Sequence, residues 1–218
     1  MLIKTKYFQS NRPEMLRFIT NNPKTSLEVG CREATHSKLL KEQLNIKETW
    51  GIEPENNQKM IEKAKKNLDY FINDYLTEET KDLPRKHFDL IIFNDVLEHL
   101  YDPWEILIQS KKLLTHDGIV IASIPNIRHK SVIKKLLFSD EFEYKEEGLL
   151  DITHIRFFTK SSIQKMFTDT GYEIIKLESL SIEKPKVLRT IFNYITFNKF
   201  QTLNIFQYGV TARKINHG

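Results

Sequence analysis

Cysteine is nearly absent from this chain: Cys31 is the only one in 218 residues, which excludes a disulfide framework and any cysteine cluster around a metal. Glycine and proline are sparse, seven of each, too few for long disordered or low-complexity tracts. No apolar run approaches the ~20 residues that a membrane helix needs. Met1-Leu2-Ile3-Lys4 runs on into polar residues instead of the apolar core of a secretory signal. These absences predict a cytoplasmic protein with no membrane insertion. Charge of one sign is not concentrated either. The 33 basic and 29 acidic residues are scattered, leaving a net +4 without a Lys/Arg block, so nucleic acid is not an expected partner.

What is present is an ordinary globular composition, 40% hydrophobic and 28% charged, at a length suited to one α/β domain with a single large core. Apolar runs alternate with helical patterns. Thr25–Gly30 reads as a short strand ending at a glycine, and Ser37–Leu44 follows with helical spacing. Glu48–Glu53 and then Asn56–Leu68, with Met60, Ile61, Ala64 and Leu68 on one stripe, make a second strand–helix unit. Tyr70–Ile72 is a third strand. Phe88–Phe93 has the continuous apolar character of a buried parallel strand, and a helix over Trp104–Leu114 follows it. Asp117-Gly118 predicts a turn into another buried strand, Ile119–Ile124.

The last third breaks that rhythm. Ser131–Phe138 predicts a short amphipathic helix, and 138–158 a mixed, charged segment suited to a lid over the acceptor side of a site. Thr159 or Ser161 caps a helix that stops near Gly171, and Tyr172–Ser181 and Ile205–Ile215 are the final strands. Residues 184–200 read either as a helix over the site or as a surface for a homodimer, and 1–24 as an N-terminal cap. The expectation is one domain over 1–218: a Rossmann-like, doubly wound, mostly parallel seven-stranded sheet with helices on both faces and an antiparallel edge.

Ligands of open parallel sheets bind beyond the carboxyl ends of the strands. Here those ends are Gly30 to Ala34, Glu53, Asn73-Asp74, Asn94 to His99, and Asn126 to His129. Glu53 follows Gly30 by 23 positions, close to the separation at which a carboxylate ending the second strand grips ribose hydroxyls in nucleoside-binding folds.

Five segments resemble, in order, the motifs of class I S-adenosylmethionine-dependent methyltransferases. They are Leu27-Glu28-Val29-Gly30-Cys31, Gly51-Ile52-Glu53, Phe71-Ile72-Asn73-Asp74-Tyr75, Phe88 through Leu100, and Gly118 through Asn126. Gly148 through Thr159 is similar to a subgroup often found in capsule, O-antigen and other glycan pathways. The resemblance implies S-adenosyl-L-methionine as cofactor and S-adenosyl-L-homocysteine as product. It implies that Glu28, Gly30 and Cys31 neighbour the methionine part, Glu53 the ribose, and Asp74 with Tyr75 the adenine, while Asn94 and Val96 flank the sulfonium. One departure stands out. The family loop is usually Gly-x-Gly-x-Gly, whereas this chain has Gly30-Cys31-Arg32-Glu33-Ala34, so a reshaped loop or a weakened site is expected. Arg32 is placed either against the cofactor carboxylate or in solvent.

Methyl transfer asks mainly for positioning, and a hydroxyl acceptor also needs a group to take its proton. His154 in the lid and His99 after the fourth strand are the candidates, since an imidazole titrates near neutrality. Asp95-x-x-Glu98-His99 has a spacing that could hold a divalent ion. Its first acid is the short Asp, and no metal is expected there. Asp151, Asn126, Arg128 and Arg156 are candidate acceptor contacts, and Phe157-Phe158 are expected in the core. The acceptor implied is a small polar molecule such as a sugar, a nucleotide-linked sugar or a glycan intermediate. Methylation of RNA or another macromolecule, and a non-catalytic adenosyl-binding scaffold, stand as the other readings.

Overall fold

The computed structural model describes residues 11–80, 82–181 and 201–215. Seven strands form one sheet in the order β3-β2-β1-β4-β5-β7-β6, where β1 is Thr25–Val29, β2 Glu48–Ile52, β3 Tyr70–Ile72, β4 Phe88–Asn94, β5 Leu114–Pro125, β6 Tyr172–Ser179 and β7 Gln207–Lys214. β1 to β5 pair in parallel, and β7 runs antiparallel to both β5 and β6. Helices α1 (Thr35–Leu44), α2 (Gln58–Asn67), α3 (Pro103–Leu113), α4 (Lys130–Ser139) and α5 (Lys160–Asp169) supply the connections. The doubly wound α/β architecture expected from the alternation is therefore present.

Local chemistry explains the boundaries. The Asn57 side chain accepts the Lys59 N–H at the start of α2, and Asp102, followed by Pro103, accepts that of Glu105 at the start of α3. Thr159 and Ser162 cap α5 reciprocally, which settles the choice between Thr159 and Ser161. Gly171, at φ +79°, ends that helix.

One expectation needs correction. Asp117-Gly118 is not a turn before the fifth strand. β5 already begins at Leu114, and residues 115–118 bulge out between the Phe88–Leu114 and Leu90–Ile119 pairs. Gly118 is required there, because a Cβ would stand 2.7 Å from the Phe88 carbonyl oxygen. The two final strands form the expected antiparallel edge, with β6 outermost. β7 inserts between β5 and β6, and burial explains why: Tyr208 to Ala212 are buried without interruption, whereas β6 alternates and points Glu173 and Glu178 outward. A strand that alternates charge with apolar residues suits an edge, where it discourages further pairing.

The short 3-10 helix Pro13–Phe18 packs on this end of the sheet. Gly209 makes room for it, since a Cβ at Gly209 would lie 2.2 Å from the Phe18 ring. The Phe18 carbonyl accepts the Thr211 hydroxyl at 2.6 Å. That contact sets the position of Arg12, one residue before the helix. Residues 184–200, read above as a lid or dimer surface, lie outside the described residues.

Candidate functional site

The strand order reverses between β1 and β4, and a cavity of about 510 Å³ opens over the carboxyl ends of β1, β2 and β4. Glu28, Gly30, Cys31, Arg32, Glu53, Asp74, Tyr75, Asn94 and Val96 all line it. So do His99 and His154. Residues from five separate segments thus meet in one space.

The floor is built by the turn after β1. Gly30 has φ +71°, and its N–H donates to the Ile52 carbonyl at 2.9 Å. A Cβ on Gly30 would sit 2.5 Å from Val96 Cγ2, so the backbone runs hard against that side chain. Arg32 and Ala34, which stand where the family loop usually has glycine, hold φ of 49° and 54°, the left-handed conformation that glycine adopts freely. Arg32→Gly is accordingly expected to stabilise the protein by about 0.5–1 kcal/mol, because the left-handed penalty exceeds the entropy that glycine adds to the unfolded chain. A fall in melting temperature for this exposed position would contradict that account.

Electrostatics at this end are acidic. Glu28 is buried, and its carboxylate accepts the Ser37 N–H at 3.1 Å and hydroxyl at 2.5 Å, gripping the first turn of α1. Burial raises its pKa, opposed by the nearby His36 and by the Ser37 bonds. Glu53 accepts the Arg32 backbone N–H at 3.0 Å; burial raises its pKa against that bond. The Cys31 thiol is packed beneath Gly51, and burial followed by the charge of Glu28 pushes its pKa well up, so it stays protonated and unreactive. The Asn73 side chain bridges to the Glu55 backbone, at 2.7 Å from the Glu55 N–H and 2.9 Å to its carbonyl, which ties the turns after β2 and β3 together. Asp74 accepts the Tyr75 N–H at 2.7 Å, and the Tyr75 ring is exposed at the cavity rim. Asn94 ends β4 with both amide atoms buried, close enough to Glu28 to help lower that carboxyl's pKa but without a hydrogen bond of ordinary length.

The other end is built around the short helix Leu97–His99. Asp95, at φ 55°, accepts the Ser123 hydroxyl at 2.9 Å, and its carboxylate also takes the Gln207 amide and the Arg12 guanidinium. Its hydrogen bonds are therefore taken up by Ser123, Gln207 and Arg12, and the Asp95–Glu98–His99 grouping that the spacing allowed does not form. His154 takes that place. Its ring lies 4.7 Å from that of His99, and its Nε2 is 4.0 Å from Glu98 Oε1, too long for a hydrogen bond. Burial, then the charge of His99, holds the His154 pKa below the usual histidine range. Burial and the charge of Asp95 push the Glu98 carboxyl well above the usual carboxylate range.

Segment 148–158 is fastened to this helix, since the Glu98 carbonyl accepts the N–H groups of Ile155 and Arg156, each at 3.0 Å. Of the four candidate acceptor contacts only Asp151 lines the cavity. Asn126 donates to the carbonyls of Thr202 and Ile205, and Arg128 to the Thr202 hydroxyl. Arg156 donates to the Tyr101 carbonyl and lies over Trp104. These three tie the structure around the site together. Phe158 is in the core as expected, and Phe157 packs in a smaller cluster with Val132. Arg12 and Gln207 also reach the cavity and were not expected from sequence. They lie 83 and 112 residues from Asp95, beyond the reach of any local pattern.

The chain matches the family model described as a methyltransferase domain over residues 4–177. No curated protein sequence gives a significant match. Among solved structures, a SAM-dependent methyltransferase from Archaeoglobus fulgidus is similar with TM-score 0.69 and 18% identity, over 96% of this chain and 97% of that one. A SAM-dependent methyltransferase from Aquifex aeolicus follows at 0.61 and 13%, over 98% and 94%. The plantazolicin methyltransferase BpumL in complex with SAH gives 0.61 and 18%, over 97% and 86%. These likenesses are of fold. The match that spans most of the sequence, set on this sheet and this cavity, places the chain in the methyltransferase domain family, the class I enzymes that take their methyl group from S-adenosylmethionine.

Proposed function

We propose that this protein methylates a hydroxyl of a small polar acceptor, with a sugar or nucleotide-linked sugar as the leading class. The observation that carries the reading is one cavity with a nucleoside-type rim at one end and an imidazole pair at the other. The residues fit the cofactor. The volume lies within the range of small-molecule sites, the Gly30 backbone is stripped of a side chain where a ligand must approach, and the Asn94 amide in the lining offers polar atoms without a hydrogen bond of ordinary length. Glu28, Gly30, Cys31 and Arg32 would border the methionine part, Glu53 would accept from the ribose hydroxyls, and Asp74 and Tyr75 would frame the adenine. Asn94 and Val96 would stand near the sulfonium. When bound, S-adenosylmethionine supplies an activated methyl group.

The chain's own work is then to orient the acceptor and handle its proton. His154 Nδ1 donates to the Leu149 carbonyl at 3.3 Å, leaving the Nε2 lone pair unused in a residue that lines the cavity. His99 is held in the same way by the Thr153 carbonyl at 3.1 Å. An acidic and imidazole-rich wall, with Asp151 beside it, suits a hydroxylated acceptor better than an apolar one. The glycan assignment is supported by the likeness of segment 148–159 to methyltransferases of glycan pathways.

The test is a mass-spectrometric screen of sugars, nucleotide sugars and phosphorylated metabolites for the gain of one methyl group with release of S-adenosylhomocysteine. Glu53→Ala is expected to weaken S-adenosylmethionine binding by about 10–100-fold, the loss of one or two hydrogen bonds to a charged group. Unchanged affinity in calorimetry would remove Glu53 from the site. Methylation confined to RNA or protein would replace the small-acceptor reading.

A further inference from the structure

We infer that Glu98, His99 and His154 form a site for a divalent transition-metal ion that seats the acceptor oxygen. The inference deepens the acceptor-side reading above and rests on it for the ion's role, though not for its binding. One ligand atom from each of the three residues lies within 4.8 Å of the others, the one such group of His, Cys, Asp or Glu among the described residues. Around an ion at ~2.1 Å, tetrahedral donors lie about 3.4 Å apart, so closure needs only small side-chain rotations.

Two further observations point to a ligand. Glu98 is 1% exposed, and neither carboxylate oxygen has a hydrogen-bond partner. A buried carboxylate without a side-chain hydrogen bond is costly, and the Arg12 guanidinium, bonded to Asp95, acts on Glu98 only through its charge. Second, the ring nitrogens are sorted. Carbonyl oxygens only accept, so the bonds to Thr153 and Leu149 place the proton of both imidazoles on Nδ1 and leave both Nε2 atoms as donors to an ion. Histidine ligands are oriented in just this way in metal sites, with the second ring nitrogen bound to a backbone carbonyl or a carboxylate.

The site is also built across two segments. Glu98 and His99 come from the helix after β4 and His154 from the 148–158 segment, joined through the Glu98 carbonyl. Two nitrogens and one oxygen suit Zn²⁺, Mn²⁺, Fe²⁺ or Co²⁺ better than the all-oxygen shells of Ca²⁺ and Mg²⁺. Three protein ligands leave a coordination position open toward the cavity, where a hydroxyl of the acceptor can enter.

The experiment uses the full chain without a histidine tag, stripped by chelator and titrated with Co²⁺ while visible absorption is recorded, with calorimetry for Zn²⁺ and Mn²⁺. The expected result is one ion per chain, with the intense visible bands of low-coordinate cobalt. Glu98→Gln, His99→Ala and His154→Ala are each expected to weaken binding by tenfold or more, with S-adenosylmethionine affinity retained as proof of folding. His99→Gln, at the least buried of the three, serves where another variant does not fold. No stoichiometric uptake, or uptake indifferent to the substitutions, overturns the site. A wild-type protein that binds no ion yet methylates an acceptor overturns the metal and leaves the transferase reading intact. Ion uptake without S-adenosylmethionine binding does the reverse.

Discussion

Gly30→Ala is expected to abolish cofactor uptake, with affinity falling more than about 100-fold, and to lower the melting temperature by roughly 5–15 °C. Two costs combine. An alanine at φ +71° bears the left-handed penalty of about 1–2 kcal/mol, and its Cβ would stand 2.5 Å from Val96 Cγ2, which adds overpacking of about 1–3 kcal/mol. Relief requires the Val96 side chain to rotate or the turn to move, and both line the cavity. Calorimetry with S-adenosylmethionine and a thermal melt measure the two effects. The double variant Gly30→Ala/Val96→Ala separates them. It should recover the packing cost and leave the backbone cost, giving a coupling of about 1 kcal/mol or more between the positions. Strict additivity would show that the contact with Val96 is not what makes the glycine necessary.

His154→Ala is expected to reduce turnover by about 10²–10⁴-fold on whichever acceptor the screen identifies, with S-adenosylmethionine affinity unchanged. His154 sits at the end of the cavity remote from Glu53, and its ring is neutral near pH 7 because burial and His99 lower its pKa. A neutral imidazole can take a proton or bind an ion, and the alanine variant loses both abilities. A merely structural role would show instead as a parallel loss of thermal stability and cofactor affinity, with kcat preserved in the folded fraction. Partial recovery of turnover by added imidazole would favour direct proton transfer. Turnover equal to wild type would remove His154 from the acceptor side.

Much of the site was legible because its determinants are local. A strand ending at Gly30 and a carboxylate at the end of the next strand are sequence patterns, and the sheet's parallel order brings such ends to one edge. The imidazole end was half legible. Glu98, His99 and His154 could each be named, but the spacing grouped Glu98 and His99 with Asp95, whereas the structure groups them with His154. The Asp95 side chain is claimed by Arg12 and Gln207, brought in by the packing of Phe18 on Gly209 and by the insertion of β7. The backbone of the turn after β1 was not legible, since Arg32 and Ala34 adopt the left-handed conformation that their side chains disfavour. Propensity is a weak prior, and the contacts of a whole loop outweigh 1–2 kcal/mol at one residue.

The amino-acid sequence alone determined the α/β class, most helix and strand positions and the row of strand ends that line the cavity. Each of these follows from periodicity or capping within a few residues. Tertiary structure decided which polar groups are spent on one another and which remain available: Asp95 engaged, Glu98 buried and unpaired, and Asn126, Arg128 and Arg156 turned to scaffolding. Hydrogen bonds and ion pairs form across any separation in the chain, so only the folded arrangement assigns their partners.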